Sequence, residues 1–562
     1  MKRKNFLALF ISAVMAFSTL AVTGCAKPIG GGHEDEIVVK VWNYDGGVGN
    51  SWLDQNVIGS AADRFMKENE GREFPNGKTG VYIDVYADKN DPLNTITTSE
   101  YSVFFLEGLA YNNLANGIAL NIDDVVTGVN KYESGKTIAS KMNSDVQSAL
   151  TAYDGHYHVI PHYQSYDSLT YNKTLFEDNN FYFAAKASDY ANSNASDPAY
   201  GFIKNSSCEK TVGPDGVKNT SDDGLPSSID ELIRLCEYVK AKSKTPFIWY
   251  NGFNKAYQQK LTNALWAAME GYDGAMTQFT FKSKANTTTR IITNLNDDGT
   301  YETEDVAINE NNAYLVYQQE SRYHALRFCE YLFSNANNFH EDATGSASHT
   351  DVQKDFMKDD VAMLIEGTYW QNEATDALTF VDYPDLKDVE VAYMPLPVQG
   401  TGSVTEGNGK QPVLIDTHSS FAFINANTAT KHDEYVLQVA KEFLQFCYTD
   451  ESLANFTVDS SVTRGLDYSL GDRVDELSDY AKSVWNAKEN GSVINPISAN
   501  TTFIKNFPVF TMRATQMWIS TKASEGNPCT VFAHTSKQTN AIDYFKGLAQ
   551  VRTEAWWNGL AK

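Results

Sequence analysis

Positive charge is in short supply in this chain. Its 46 Lys+Arg stand against 71 Asp+Glu, a formal net charge of −25. A surface that neutralises nucleic-acid phosphates needs clustered Lys and Arg, so the balance argues against a nucleic-acid partner. The acidic excess identifies no partner by itself, because it also keeps a secreted protein soluble. Long apolar runs are missing after the first two dozen residues, and no later stretch is apolar enough to span a membrane. Cysteine is scarce, six in 562 residues, and no two form a Cys-x-x-Cys pair, which argues against zinc and thioredoxin chemistry. Cys236, Cys329 and Cys447 fall on apolar helix faces and are expected in the core. With Cys208 and Cys529 the set beyond Cys25 is odd, and spacing fixes no pairing. Enzyme signatures are absent too. Gly77-Lys78-Thr79 and Gly135-Lys136-Thr137 lack the glycine that a P-loop needs five residues before its Gly-Lys, and there is no Gly-x-Ser-x-Gly or His-Glu-x-x-His. His156, His158 and His162 lie close together without a specified further ligand, so no metal site is expected there.

Lys2-Arg3-Lys4 followed by an apolar run from Phe6 to Val22 reads as a secretory signal peptide covering residues 1–24. Leu20-Ala21-Val22-Thr23-Gly24-Cys25 resembles the bacterial lipobox, which implies that Cys25 is acylated and becomes the first mature residue. Residues 25–36, with Gly30-Gly31-Gly32, then form a lipid-anchored flexible tether. Such a protein is anchored to the cell membrane, facing outward, without spanning it.

A chain of 562 residues, 42% hydrophobic, can bury a large core and should form two or more domains. Aromatics make up 12%, with 31 Tyr and 9 Trp, and their flat apolar faces with polar edges suit sugar stacking as well as core filling. Residues 37–42 read as a strand followed by a Gly-rich loop at 43–50, so Trp42, Tyr44 and Asp45 sit where a ligand can be met. Residues 51–70 are helical in pattern, with Trp52, Ile58, Ala62, Phe65 and Met66 as the stripe. Val81, Ile83 and Val85 alternate with polar partners as a strand, and residues 101–106 form another that ends at Glu107. The alternation predicts an α/β lobe with a mostly parallel sheet. Ser228-Ile-Asp-Glu231 is a capping box, and residues 261–269, 312–335 and 431–448 read as helices. Residues 275–312 look polar and irregular, with a hairpin turn at 296–300. Residues 213–224 crowd Asp215, Asn219, Asp222 and Asp223 beside turn glycines. Calcium favours such oxygens, but the spacing lacks the closing Glu of an EF-hand, and an Asx/Gly turn is the favoured reading over a structural calcium site.

The chain is organised around Phe356-Met-Lys-Asp-Asp-Val-Ala-Met-Leu-Ile-Glu-Gly-Thr-Tyr-Trp370. Residues 361–365 are sized for a strand buried on both faces, and Glu366-Gly367 stands at its carboxyl end, where ligands of open α/β sheets bind. This stretch resembles the Phe…Val-Ala-Met…Gly-x-Trp signature of extracellular solute-binding proteins of carbohydrate ABC importers, of the maltose-binding type. Gly155-His-Tyr-His-Val-Ile-Pro161 with Tyr171-Asn172-Lys173 resembles the family's first crossing between lobes, although His158 stands where the family has Tyr. Residues 389–397 and 431–451 carry further matches, and the resemblance covers roughly residues 37–460.

The resemblance implies an α/β, two-lobed periplasmic-binding-protein-like fold with a ligand cleft between lobes joined by hinge crossings. The first lobe takes residues 37–166 plus 415–457; the second takes 167–414 plus 458–562, with insertions near 178–226 and 275–312. It further implies capture of a carbohydrate, an oligosaccharide by preference, by a monomer that serves ABC permease subunits without cofactor or catalysis. Rings for the sugar would be Trp42, Tyr44, Trp249, Tyr250, Tyr369 and Trp370, with Trp370 favoured over Tyr369. Hydrogen bonds would come from Asp45, Glu107, Tyr163, Gln164, Asn251, Glu366 and Arg464. A surface glycoside hydrolase, for which Glu107 and Glu366 could pass as the carboxylate pair, and a receptor for a non-sugar solute are the alternatives.

Overall fold

The computed structural model describes residues 33–89, 92, 95–107, 114–358, 360–376, 388–416, 420–496, 528–533 and 538–559. Cys25 and the segment before it lie outside the described residues.

Ile37–Tyr44 alternates buried and half-buried side chains, as a strand with one covered face should. It pairs in parallel with Val81–Asp88 on one side and Val103–Leu106 on the other. Phe421–Ile424 then adds antiparallel to Val103–Leu106, and Ile160–Pro161 antiparallel to that. The first sheet is therefore parallel in one half only, a departure from the mostly parallel expectation. The departure arises because two of its strands arrive at hinge crossings and not through helical crossovers. Helices Ala61–Glu68, Ser144–Thr151 and Glu434–Cys447 cover it, each capped by a side chain (Ser60, Asn143, Asp433) that accepts a free first-turn N–H. Phe65 lies 5.1 Å from Phe443 and 5.4 Å from Phe446, ring centre to ring centre. Residues before Ala61 are turns, and Ile58, expected on an apolar stripe, is 89% exposed.

The second sheet runs Val391–Met394, Asp167–Asn172, Val361–Gly367, Thr245–Trp249. All seven residues of Val361–Gly367 are buried, which is what a central strand covered on both faces requires. It runs antiparallel to Asp167–Asn172 and parallel to Thr245–Trp249. Ser228 caps Ile229–Ala241 by accepting from Glu231 N–H at 3.1 Å, while Glu231 reaches back to Ser227 N–H. Residues 275–312 are more regular than their polarity suggests. Thr289–Leu295 and Tyr301–Val306 form an antiparallel hairpin closed at 296–300. Residues 178–226 form turns and bridges tied down by rings, Phe202 lying 4.4 Å from Tyr238.

Two separate hydrophobic clusters serve the two sheets. The chain passes from the first sheet to the second between Pro161 and Asp167. Tyr163-Gln164 pairs there with Thr463-Arg464, and Tyr166 bridges Asp416. The Tyr166 hydroxyl lies 2.7 Å from Thr463 Oγ1, so the crossings are bonded to one another. Of the stretch assigned above to the second lobe from 458 onward, Val462, Leu466, Leu470 and Leu477 pack in the first cluster. The helix Asp479–Asn490 serves both, with Tyr480, Val484 and Ala487 in the second cluster and Ala481 and Trp485 in the first. Farther on, Ala541–Val551 and Glu554–Asn558 pack in the second cluster.

Candidate functional site

The carboxyl end of the central strand delivers Glu366, which is fully buried. Its Oε1 accepts from Gly367 N–H at 2.8 Å and from the Tyr369 hydroxyl at 3.4 Å, while Oε2 has no hydrogen bond among the described residues. Burial pushes the Glu366 carboxyl up to about 8, against the pull of the Lys260 ammonium. Asp167 is the antiparallel register partner of Gly367, so the strand pairing brings a second carboxyl to the same strand end, on the face opposite to that of Glu366. It too is buried, and desolvation lifts it to about 7, again moderated by Lys260. Lys260 comes from the helix Gly252–Glu270, with Nζ 4.1 Å from the Tyr257 ring centre and 5.8 Å from that of Tyr369. The Tyr257 and Tyr369 hydroxyls lie 3.3 Å apart.

The first lobe meets this cluster through the loop after its leading strand. A Cβ on Gly47 would stand 2.6 Å from Tyr369 Cγ, so only glycine admits the ring at that point. Asn372 Nδ2 donates to Gly47 O at 3.1 Å. The Tyr44 hydroxyl hydrogen-bonds Glu107, and burial with that carboxylate holds it well above the ordinary phenol range. The charge of Glu107 also reaches Tyr257 of the second lobe. At the rim, the Tyr272 hydroxyl donates to Asp145 Oδ2 at 2.7 Å, joining a second-lobe helix to a first-lobe one. The lobes thus touch directly around a buried group of rings and carboxyls.

Among the residues expected here, Tyr44, Glu107, Glu366 and Tyr369 come together, with Asp45 next to Tyr44 and acting on its hydroxyl. Trp42 is half-buried against Tyr86 (4.8 Å) and Tyr101 (5.2 Å) within the first lobe. Tyr250 lies 5.7 Å from Tyr257, and Asn251 Nδ2 donates to Thr344 O at 3.2 Å, which uses that amide to hold a loop. The others lie elsewhere. Trp249 is core, fully buried between Phe333 and Phe339. Trp370, expected to be the better sugar platform, is also fully buried in the second cluster. It starts the helix Trp370–Asp376 and points back onto the sheet, while Tyr369 points toward the first lobe. Tyr163 and Gln164 are buried in the crossing, where Gln164 Oε1 accepts from the Tyr166 hydroxyl at 3.0 Å.

Arg464 is no cleft residue either. Its guanidinium sits 3.9 Å from the Phe456 ring centre, 4.7 Å from Trp52 and 5.1 Å from Tyr448, inside an aromatic box. Nη1 donates to His162 Nδ1 at 2.6 Å, and burial with that cation keeps His162 well below the usual imidazole range. In the 213–224 loop the side chains close turns. Asp215 Oδ1 accepts from Val217 N–H (2.7 Å), Asp222 Oδ2 from Asp215 N–H (2.9 Å) and Asp223 Oδ2 from Asn219 N–H (2.9 Å).

Asp167, Tyr257 and Lys260 also belong to this junction and are not among the residues expected from the sequence. Two of them carry a local signal, since Tyr257 and Lys260 stand three apart on one helical face, but the helix begins at Gly252, ahead of the pattern read at 261–269. A cavity of about 570 Å³ lies elsewhere on the second lobe, lined by Tyr301, His324, Arg327 and Glu330 among others. There His324 is bonded to Tyr301, Arg327 to Asp230, and Glu330 to Ala541 N–H, so its polar groups serve packing.

No protein-family model matches the sequence, and no curated protein does. Solved structures do match in fold. A chitin oligosaccharide binding protein superposes with a TM-score of 0.52 at 14% identity, over 93% of this chain and 100% of that one. The cyclic alpha-maltosyl-1,6-maltose binding protein from Arthrobacter globiformis gives 0.51 at 12% identity, over 93% and 100%. A structure from work on xylan utilization by the thermophilic bacterium Caldanaerobius polysaccharolyticus gives 0.51 at 16% identity, over 92% and 99%. At such identities the likeness is one of architecture, and it extends over nearly the whole of both chains: this protein has the two-lobed α/β fold of the solute-binding proteins.

Proposed function

We propose that the protein is a lipid-anchored extracellular receptor that captures a carbohydrate, an oligosaccharide by preference, between its lobes and hands it to the permease of an ABC importer. The observation that carries this reading is the buried group at the lobe junction, Tyr369 and Tyr257 beside Glu366, with Asp167 at the end of the neighbouring strand. A carboxyl raised to about 8, as for Glu366, is largely protonated at neutral pH, and one raised to about 7, as for Asp167, is divided between its two forms; a neutral carboxyl both donates and accepts, as a sugar hydroxyl requires. Tyrosine rings supply the apolar face that a pyranose presents its C–H groups to. Opening and closing about the bonded crossings would admit the sugar and change the surface offered to a membrane partner. Two proteins of this fold are a chitin oligosaccharide binding protein and a cyclic alpha-maltosyl-1,6-maltose binding protein, which supports the ligand class.

Tyr369→Ala tests the site. Loss of one stacking ring costs about 2 kcal/mol, so sugar affinity should fall roughly thirtyfold in calorimetry across a panel of mono- and oligosaccharides. Unchanged affinity for every sugar bound by the parent would remove the lobe junction from the reading. A protonated buried Glu366 is also what a glycosidase acid looks like, so a hydrolase is the second reading. The expected result is binding without release of reducing ends; sustained release abolished by Glu366→Gln would replace the receptor by an enzyme.

The anchor rests on the lipobox around Cys25 alone. Cys25→Ala should move the protein from the membrane fraction to the supernatant with its sugar affinity intact. Retention of that variant in the detergent phase would reject the lipid anchor and leave the binding site standing.

A further inference from the structure

We propose that Cys329 and Cys529 are a disulfide pair, which on oxidation staples the C-terminal helices to the second lobe. The two Sγ atoms lie 3.8 Å apart although the residues are 200 positions apart in the chain. Chance seldom brings two of so few cysteines into contact across such a distance, and Cys208, Cys236 and Cys447 have no such neighbour among the described residues. Cys329 lies on the helix Glu320–Ser334, and Cys529 on the short helix Pro528–Val531 packed against it. Both side chains are buried, at 1% and 0% exposure, in the same hydrophobic cluster. A disulfide needs its sulfurs about 2 Å apart, so an approach of under about 2 Å completes the bond.

Among the described residues the C-terminal helices hold to the rest through apolar packing, an exposed Lys546–Asp297 ion pair at 2.6 Å, and two hydrogen bonds, Ala541 N–H donating to Glu330 Oε2 at 2.8 Å and Trp557 Nε1 to Glu310 O at 2.6 Å. A covalent link closing a 200-residue loop restricts the unfolded chain far more than either hydrogen bond. Its formation requires a disulfide-bearing oxidant, of the kind met outside the cytoplasm. The Cys329 thiolate attacks one sulfur of the oxidant and expels the other as a thiolate. The Cys529 thiolate then attacks the Cys329 sulfur of that mixed disulfide and expels the second. Two electrons pass to the oxidant, which leaves as two thiols with the two protons. Since both sulfurs are shielded, the exchange takes place before the Pro528–Val531 helix docks or while it opens. From the proposed function the inference borrows only the extracytoplasmic location; the pairing itself depends on packing and not on any ligand.

The test is peptide mapping of the full-length, detergent-solubilised protein. It is held just below its unfolding midpoint with oxidised glutathione, then denatured and alkylated. The expected product is one cross-linked peptide containing Cys329 and Cys529, about 2 Da lighter than the sum of its halves and split by dithiothreitol. Oxidised protein should also unfold roughly 5 °C higher than reduced protein, a gain absent from Cys529→Ala and Cys329→Ala. Recovery of Cys329 and Cys529 as separately alkylated peptides, or a link from either to Cys208, Cys236 or Cys447, would overturn the pairing. The mapping is done on the parent chain, so it decides the matter even where a variant fails to fold, and sugar binding has no part in it.

Discussion

Trp370→Ala should cost about 3–5 kcal/mol of stability and leave sugar affinity where it was. The indole is fully buried, its Nε1 donates to Thr170 Oγ1 at 3.0 Å, and its ring centre lies 5.4 Å from Tyr480 and 5.8 Å from Phe356. Truncation removes those contacts and leaves a cavity between the sheet and the helix Asp479–Asn490, which has to serve both lobes. The Thr170 hydroxyl retains Tyr480 as a partner at 3.1 Å, so the loss is one of packing more than of an orphaned polar group. Urea unfolding and calorimetry on the same preparation measure the two quantities. A large fall in affinity with an unchanged urea midpoint would place Trp370 in the ligand site and reverse its assignment to the core.

The pair Tyr369 and Trp370 shows how far the sequence reaches. An apolar run of strand length, a carboxyl-end Glu and a glycine were enough to find the central strand and the turn that follows it, because burial on both faces leaves a direct mark on composition. The two adjacent rings face opposite ways, Trp370 into the second cluster and Tyr369 into the first. Which ring faces the first lobe depends on where the next helix begins, and that is set by packing against the Asp479–Asn490 helix a hundred residues on. Asp167 was invisible for a related reason, since only the antiparallel register with Gly367 brings it to the end of the central strand. Arg464 misled because a lone charge at a crossing suggests solvent or ligand. Its neutral enclosure by Trp52, Tyr448 and Phe456 is assembled from segments far apart in the chain. The contact between Cys329 and Cys529 belongs to the same class, a long-range meeting with no local signature.

Glu366→Gln should flatten the upper part of the pH dependence of stability in the sugar-free protein. An ordinary Glu titrates near 4.5, and burial raises Glu366 to about 8; an ordinary Asp titrates near 3.8, and Asp167 is raised to about 7. In the window between those values the folded chain holds protons that the unfolded chain has released. Stability therefore falls as pH rises, by about 1.4 kcal/mol per pH unit for each such group. It is greatest below both ordinary values and is lost as pH climbs through about 7 for Asp167 and about 8 for Glu366. The amide of Gln keeps an acceptor for Gly367 N–H and Tyr369 without a titrating proton, so it mimics the neutral acid at every pH. The variant should match the parent near pH 5 and exceed it by pH 9, on the order of 3–5 kcal/mol, with its own decline ending near pH 7 where Asp167 finishes titrating. Urea unfolding at pH 5, 7 and 9 measures this. Identical slopes for parent and variant would mean that Lys260 holds Glu366 ionised throughout, and the site would then contain a fixed carboxylate–ammonium pair suited to a different ligand from a neutral sugar.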